Sequence, residues 1–172
     1  GRRSMDVFNR DKWDARFFAM ADLVASWRED RSRRVGCVVV GDANDPESVV
    51  AALQAGPYTA VISTLGCFSC DPPPDFIGNK NIVDATEQAG VKRMVLISTI
   101  GAGDSFDSAP AISRFALKKI LPLKNQAEDH IKASNLDYTI IRPGGLRSGA
   151  PTGGGYLTED PTAFGFIYRS DL

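Results

Sequence analysis

Hydrophobic positions along the chain follow two alternating rhythms. Residues 11–28 carry Trp13, Phe17, Met20, Ala21, Val24 and Trp27 at helical spacing, which predicts an amphipathic helix with one apolar stripe. Residues 29–34 are polar and read as a loop. Residues 35–40, VGCVVV, make a short continuous apolar run that suits a strand buried on both faces. A helix is then expected over residues 46–55. Asp45 caps it, Pro46 opens its first turn, and Gly56-Pro57 stops it. A second strand is expected over 58–65, and a loop with three consecutive prolines over 66–75. A helix over 76–89 ends at Gly90. The third strand covers 91–99, a Gly/Ser/Asp-rich loop 100–109, and a helical stretch 111–134 that Pro122 breaks or kinks. The fourth strand covers 138–141. Residues 144–161 hold many glycines and read as one long loop.

Strands alternating with helices of this length predict an α/β protein with a mainly parallel sheet. One domain over residues 1–172 is enough to contain it. Ligands in such sheets bind beyond the carboxyl ends of the strands. The residues just after each strand are therefore where chemistry is expected.

Composition narrows the function classes. The net charge is −1, so neither a nucleic-acid partner nor a membrane surface is expected. The arginines near residues 2–3 and 28–34 are interrupted by acids and read as solvated surface. No apolar run approaches the roughly 20 residues of a membrane span, and the N-terminus has no signal-type apolar core. Three cysteines do not make a disulfide framework. A reducing, cytoplasmic location is the expectation.

The stretch 124–146, KNQAEDHIKASNLDYTIIRPGGL, places a lysine near the start of a helix. It then runs through a buried strand into Arg142-Pro143-Gly144-Gly145. This resembles the last cofactor-facing βα unit of the atypical short-chain dehydrogenase/reductases, the NAD(P)-binding family close to NmrA-like proteins. The likeness covers about residues 36–168. It implies a three-layer Rossmann-like α/β domain whose short, mainly parallel sheet has about four to five strands. It also implies NADP (or NAD) as cofactor, and hydride transfer to a small carbonyl, quinone or flavin-like acceptor. In the resembled pattern Lys124 holds the nicotinamide ribose, and Pro143, Gly144, Gly145 and Leu146 lie along the nicotinamide. Asp42 takes the place of the acid near the adenine; its other reading is a simple turn residue. The segment Thr64-Leu65-Gly66 passes the adenosine ribose and phosphates, or Gly66 merely ends a strand. Ser98 corresponds to a strand-end serine that hydrogen-bonds a substrate carbonyl; the rival is a buried serine satisfying the backbone. For Lys124 the rival is a solvated helix lysine.

The chain departs from that family in two ways. The acid tyrosine expected four residues before Lys124 is replaced by Ile120, which has no proton to give. No G-x-G-x-x-G occurs, so the usual pyrophosphate cradle is absent from these residues and weak cofactor affinity is expected. Residues 6–40 resemble instead the opening helix and strand of deoxycytidylate-type deaminases. There is no H-x-E, and Gly66 rather than proline precedes the C-x-x-C, so a working zinc deaminase is not expected, and neither is a metal site. Cys67 and Cys70 are read as two ordinary loop cysteines, with a dithiol or metal half-site as the alternatives. His130 is read as a helix surface residue. The two likenesses meet near residues 35–42, where two strands of the parent sheet are missing. Rearranged pairing or an intertwined homodimer is the expected remedy. The competing functional reading is a catalytically inactive chimeric or truncated scaffold acting as a dimeric interaction module.

Overall fold

The computed structural model describes residues 42–172. The helix expected over 11–28, the strand over 35–40, the deaminase-like segment and the junction up to residue 41 lie outside the described residues. Asp45 caps α1 (Pro46–Gln54), its Oδ1 accepting the Glu47 N–H at 3.2 Å, with Pro46 in the first turn as expected. Val49 and Leu53 point inward, one helical turn apart. Strand β1 (Ala60–Ser63) is shorter than its apolar run. Its ladder stops because Leu65 turns its carbonyl toward the side chains of Lys124 and Asn79. Helix α2 (Ile77–Gln88) closes as the sequence predicts. Gly90 adopts φ +74°, with Gly90 N–H donating to Glu87 O and Val91 N–H to Thr86 O. That is the Schellman arrangement, which needs a residue tolerant of the left-handed region.

Strand β2 (Arg93–Ile97) pairs in parallel with β1 on one side and with β3 (Asp137–Ile141) on the other. Among the described residues the sheet order is β1-β2-β3, all parallel. Met94 and Leu96 of the central strand face Ile82, Val83 and Ala85 of α2 and Ala127 and Ile131 of α4 (Leu121–Lys132), and all are buried in one core. Burying side chains of this size contributes about 1.5–3 kcal/mol each.

The connection from β2 to β3 differs from expectation. The loop over 100–109 contains a 3-10 turn, Gly103–Ser108. The helical stretch is two helices, α3 (Ala111–Ala116) and α4, and Pro122 sits in the first turn of α4 instead of kinking one long helix. A proline in a first turn loses no intrahelical bond, so a new start costs less than a kink. The Gly-rich region is also not wholly loop. Strand β4 (Gly145–Arg147) pairs in parallel with β5 (Phe166–Tyr168), apart from the main sheet. Among the described residues no helix is long and apolar enough to cross a membrane.

Candidate functional site

Three strand ends and one helix converge at the carboxyl edge of the sheet. Helix α4 presents Lys124 and Glu128, one turn apart and therefore on one face. The first reaches the loop after β1, the second the ends of β2 and β3.

Lys124 is buried, with 6% of its surface exposed. Its Nζ donates to Leu65 O at 2.7 Å and lies 3.3 Å from Asp75 Oδ1. It is thus no solvated helix lysine. Asp75 is buried too, and its second oxygen accepts the Cys67 N–H at 3.0 Å. Asn79, one turn into α2, donates to Asp75 O at 2.8 Å, while its Oδ1 accepts from the Ser63 hydroxyl at 2.6 Å. A buried cation therefore sits in a polar cage made by two strand-end residues and the start of α2, the kind of satisfied network that fixes geometry. Gly66 is needed here: a Cβ at that position would lie 3.0 Å from both Lys124 Nζ and Asp75 Oδ1. Thr64 is exposed at the same edge.

Ser98 follows β2. Its backbone N–H donates to Ile141 O at 2.7 Å and so extends the ladder. Its hydroxyl is buried without a hydrogen-bond partner, so it is not there to satisfy the backbone. Beneath it lies the fully buried Glu128. Arg142, just past β3, grips that carboxylate with Nε at 3.0 Å and Nη2 at 2.7 Å, and its Nη1 also contacts Asp104. Burial pushes the Glu128 pKa up. The hydrogen bonds from Arg142 and the nearness of Ser98, with the charges of Arg142 and Lys132, outweigh it, and the carboxyl ends below its usual range. The same pairing holds the guanidinium well above its ordinary value.

Pro143 is buried, and its carbonyl accepts the Ile100 N–H at 3.0 Å, tying the third strand end to the second. Gly144 and Gly145 are bare for a local reason. A Cβ on Gly144 would come within 2.2 Å of Gly165 O, and one on Gly145 within 2.4 Å of the Phe166 ring. Leu146 is exposed. Asp42 is exposed; its Oδ1 accepts the Asn44 N–H at 2.9 Å and its carbonyl the Asp45 N–H, which makes the turn. Asn81 of α2 holds that turn through Ala43 O at 2.9 Å. Ile120 is buried at the start of α4, where the resembled family carries its acid.

Two expectations are corrected. Cys67 and Cys70 are not independent loop cysteines but a disulfide, which leaves neither sulfur as a thiolate for a metal. His130 is more than a surface residue, because its Nε2 lies 2.6 Å from Asp84 Oδ1 and links α4 to α2. Sequence reading missed Asp75, Asn79, Glu128 and Arg142. Asn79 and Glu128 share a signal: each is a polar residue on the inward face of an amphipathic helix.

The family described as NAD(P)H-binding matches residues 24–172. The chain belongs to that family. Its match starts upstream of the strand expected over 35–40. Sanguinarine reductase of Eschscholzia californica is 36% identical over 134 residues, which is 73% of this chain and 46% of the relative. Among solved structures, the anaerobillin reductase ChuY of Escherichia coli O157:H7 aligns with TM-score 0.70 and 36% identity, over 78% of this chain and 63% of that one. The oxidoreductase ylbE of Lactococcus lactis aligns with TM-score 0.63 and 27% identity, over 83% and 64%. This NAD(P)H-binding chain therefore spans less than two thirds of each of these three relatives, and it shares the α/β Rossmann-like architecture with the two solved structures.

Proposed function

We propose that the chain is the nicotinamide-side part of an NAD(P)H-dependent reductase acting on a small carbonyl, quinone or flavin-like acceptor. The observation that carries this reading is the pair of buried polar groups at one sheet edge: a caged Lys124 ammonium, and a Ser98 hydroxyl with no partner. A hydroxyl buried without a partner is costly unless something binds it. The bound cofactor supplies a hydride. Lys124 orients its ribose, and Ser98 donates to the acceptor oxygen. Asp42 and the Thr64-Leu65-Gly66 turn lie where the adenosine half would run. Because Ile120 replaces the acid, the proton comes from solvent, so acceptors that reduce to stabilised anions are preferred over simple ketones. That two of the relatives are named as reductases of particular compounds supports the class, not those compounds.

Titration with NADPH tests the reading, following nicotinamide fluorescence with thermal shift. Saturable binding is expected, weakened about tenfold or more by Lys124→Ala, the scale of one charge-assisted hydrogen bond. Unchanged affinity in the variant would remove the lysine's role. A second reading, an inactive dimeric scaffold, is favoured by the packing of Gly165 and Phe166 onto Gly144 and Gly145, where the nicotinamide is expected. No binding at millimolar cofactor, with a dimer on sizing, would select it. We place either form in a reducing, cytoplasmic compartment, which tagging in cells can check.

A further inference from the structure

The Cys67–Cys70 disulfide closes the tip of the loop that follows β1. Ser69 and Cys70 are exposed, and Phe68 projects with 77% of its surface in solvent. An external thiol can therefore reach the bridge. The bridge is also joined to the cofactor lysine by two polar contacts. Cys67 gives its N–H to one oxygen of the buried Asp75, and the other oxygen of that carboxylate lies 3.3 Å from Lys124 Nζ. Gly66, next to the bridge, lets the backbone close over both groups.

We propose that Cys67–Cys70 is a thiol–disulfide exchange site, served by a protein dithiol, whose state sets how firmly Lys124 is held for the cofactor. A thiolate of the donor attacks one sulfur of the bridge and forms a mixed disulfide. One protein cysteine leaves as thiolate; the donor's second thiolate then attacks the donor sulfur of the mixed disulfide and releases the other. Two electrons and two protons end on Cys67 and Cys70, and the donor leaves as its own disulfide. In the bridged form the short ring fixes the Cys67 N–H on Asp75, and Asp75 in turn fixes Lys124. Opening the ring frees that N–H. A buried carboxylate then loses one charge-assisted donor and holds its cation less well. The bridged protein binds cofactor more tightly, and the reduced protein exposes the lysine.

The inference rests on Lys124 facing the cofactor, but its test does not. The full chain is equilibrated in dithiothreitol buffers of graded potential, and Cys67 and Cys70 are scored by alkylation and peptide mass. Lys124 is scored in the same samples by acylation with an amine-selective reagent. A two-electron transition is expected, with faster acylation of Lys124 on the reduced side while Lys92, which is exposed and remote, is unaffected. The double variant Cys67→Ser, Cys70→Ser should acylate like the reduced protein at every potential. Cofactor titration is the second readout: NADPH should bind the bridged form about tenfold more tightly, and by linkage saturating NADPH should lower the bridge's midpoint by about 30 mV. If the thiols stay alkylatable under mild oxidant, or if Lys124 acylates equally in both states, the proposal is overturned. If Lys124 responds to the bridge but no cofactor binds, the exchange site stands and the reductase reading falls.

Discussion

Removing the guanidinium that holds Glu128 should reverse the sign of the protein's response to acid. Glu128 is fully buried, and Arg142 supplies two of its hydrogen bonds, at 3.0 and 2.7 Å. Arg142→Met keeps an unbranched apolar stem and deletes the guanidinium and its charge. Stranding one partner of a buried pair costs about 3–5 kcal/mol. Lys132 Nζ remains 3.5 Å from Glu128 and relieves part of this, so about 3 kcal/mol is the expected loss near pH 7. For a chain of this size that lowers Tm by about 6–12 °C. The pH dependence is the sharper test. In the wild type the folded-state pKa of Glu128 lies below its unfolded value. The group's contribution is therefore complete above about pH 4.5 and is lost as pH falls through the folded pKa. In the variant burial is left unopposed by Arg142, and the folded pKa rises above the unfolded one. The carboxylate then destabilises the fold at neutral pH, and acidifying from pH 7 toward 5 should restore stability. Urea unfolding at half-unit pH steps reads both slopes. Adding Glu128→Met to Arg142→Met removes both charges and should recover most of the loss. A loss under 1 kcal/mol, a wild-type pH slope in the single variant, or additive losses in the double variant would refute the account.

Other changes read other parts of the structure. Leu96→Ala, in the centre of the core, should cost about 2–5 kcal/mol with an unchanged urea m-value. Gly103 has φ +55°, and a Cβ there would meet Arg142 Nη2 at 2.2 Å, so Gly103→Ala should cost about 1–3 kcal/mol in urea unfolding. That cost should shrink in the Arg142→Met background, where the clashing atom is gone. Gly144→Ala drives a methyl into Gly165 O and should part β4 from β5. Limited proteolysis should then cut within residues 148–165 faster, with the main unfolding transition little changed.

The order of elements was readable because each carries its own punctuation. Asp45-Pro46 opens α1 and Gly90 closes α2 by chemistry confined to a few neighbouring residues, and both stand where the sequence places them. The parallel pairing of β1, β2 and β3 follows from the alternation with helices. What the sequence hid depends on partners far along the chain. Strand β4 has no β-forming residue at its first position; its pairing exists because Gly144 and Gly145 admit a segment about 20 residues later. The Cys67–Cys70 bridge was passed over because three cysteines make no disulfide framework, a statement about composition and not about two sulfurs three residues apart.

The site divides along the same line. Lys124 and Ser98 could be named from local pattern, but not the residues that make them useful. Asp75 lies 49 positions from the lysine it pairs with, and Arg142 lies 14 from Glu128. A motif records which groups meet a ligand, whereas the groups that hold them need only some charge at some angle, and many sequences can supply it. The glycine-rich cradle missing from these residues and the tyrosine replaced by Ile120 therefore bear on how tightly cofactor is held and where the proton originates. They do not bear on whether the edge is organised, because α4 sends Lys124 to the turn after β1 and Glu128 to Arg142 after β3, while the Ile100 N–H on Pro143 O ties the ends of β2 and β3. A substitution that displaced α4 would break the Lys124 and Glu128 contacts at once and leave only the backbone bonds between the ends of β2 and β3.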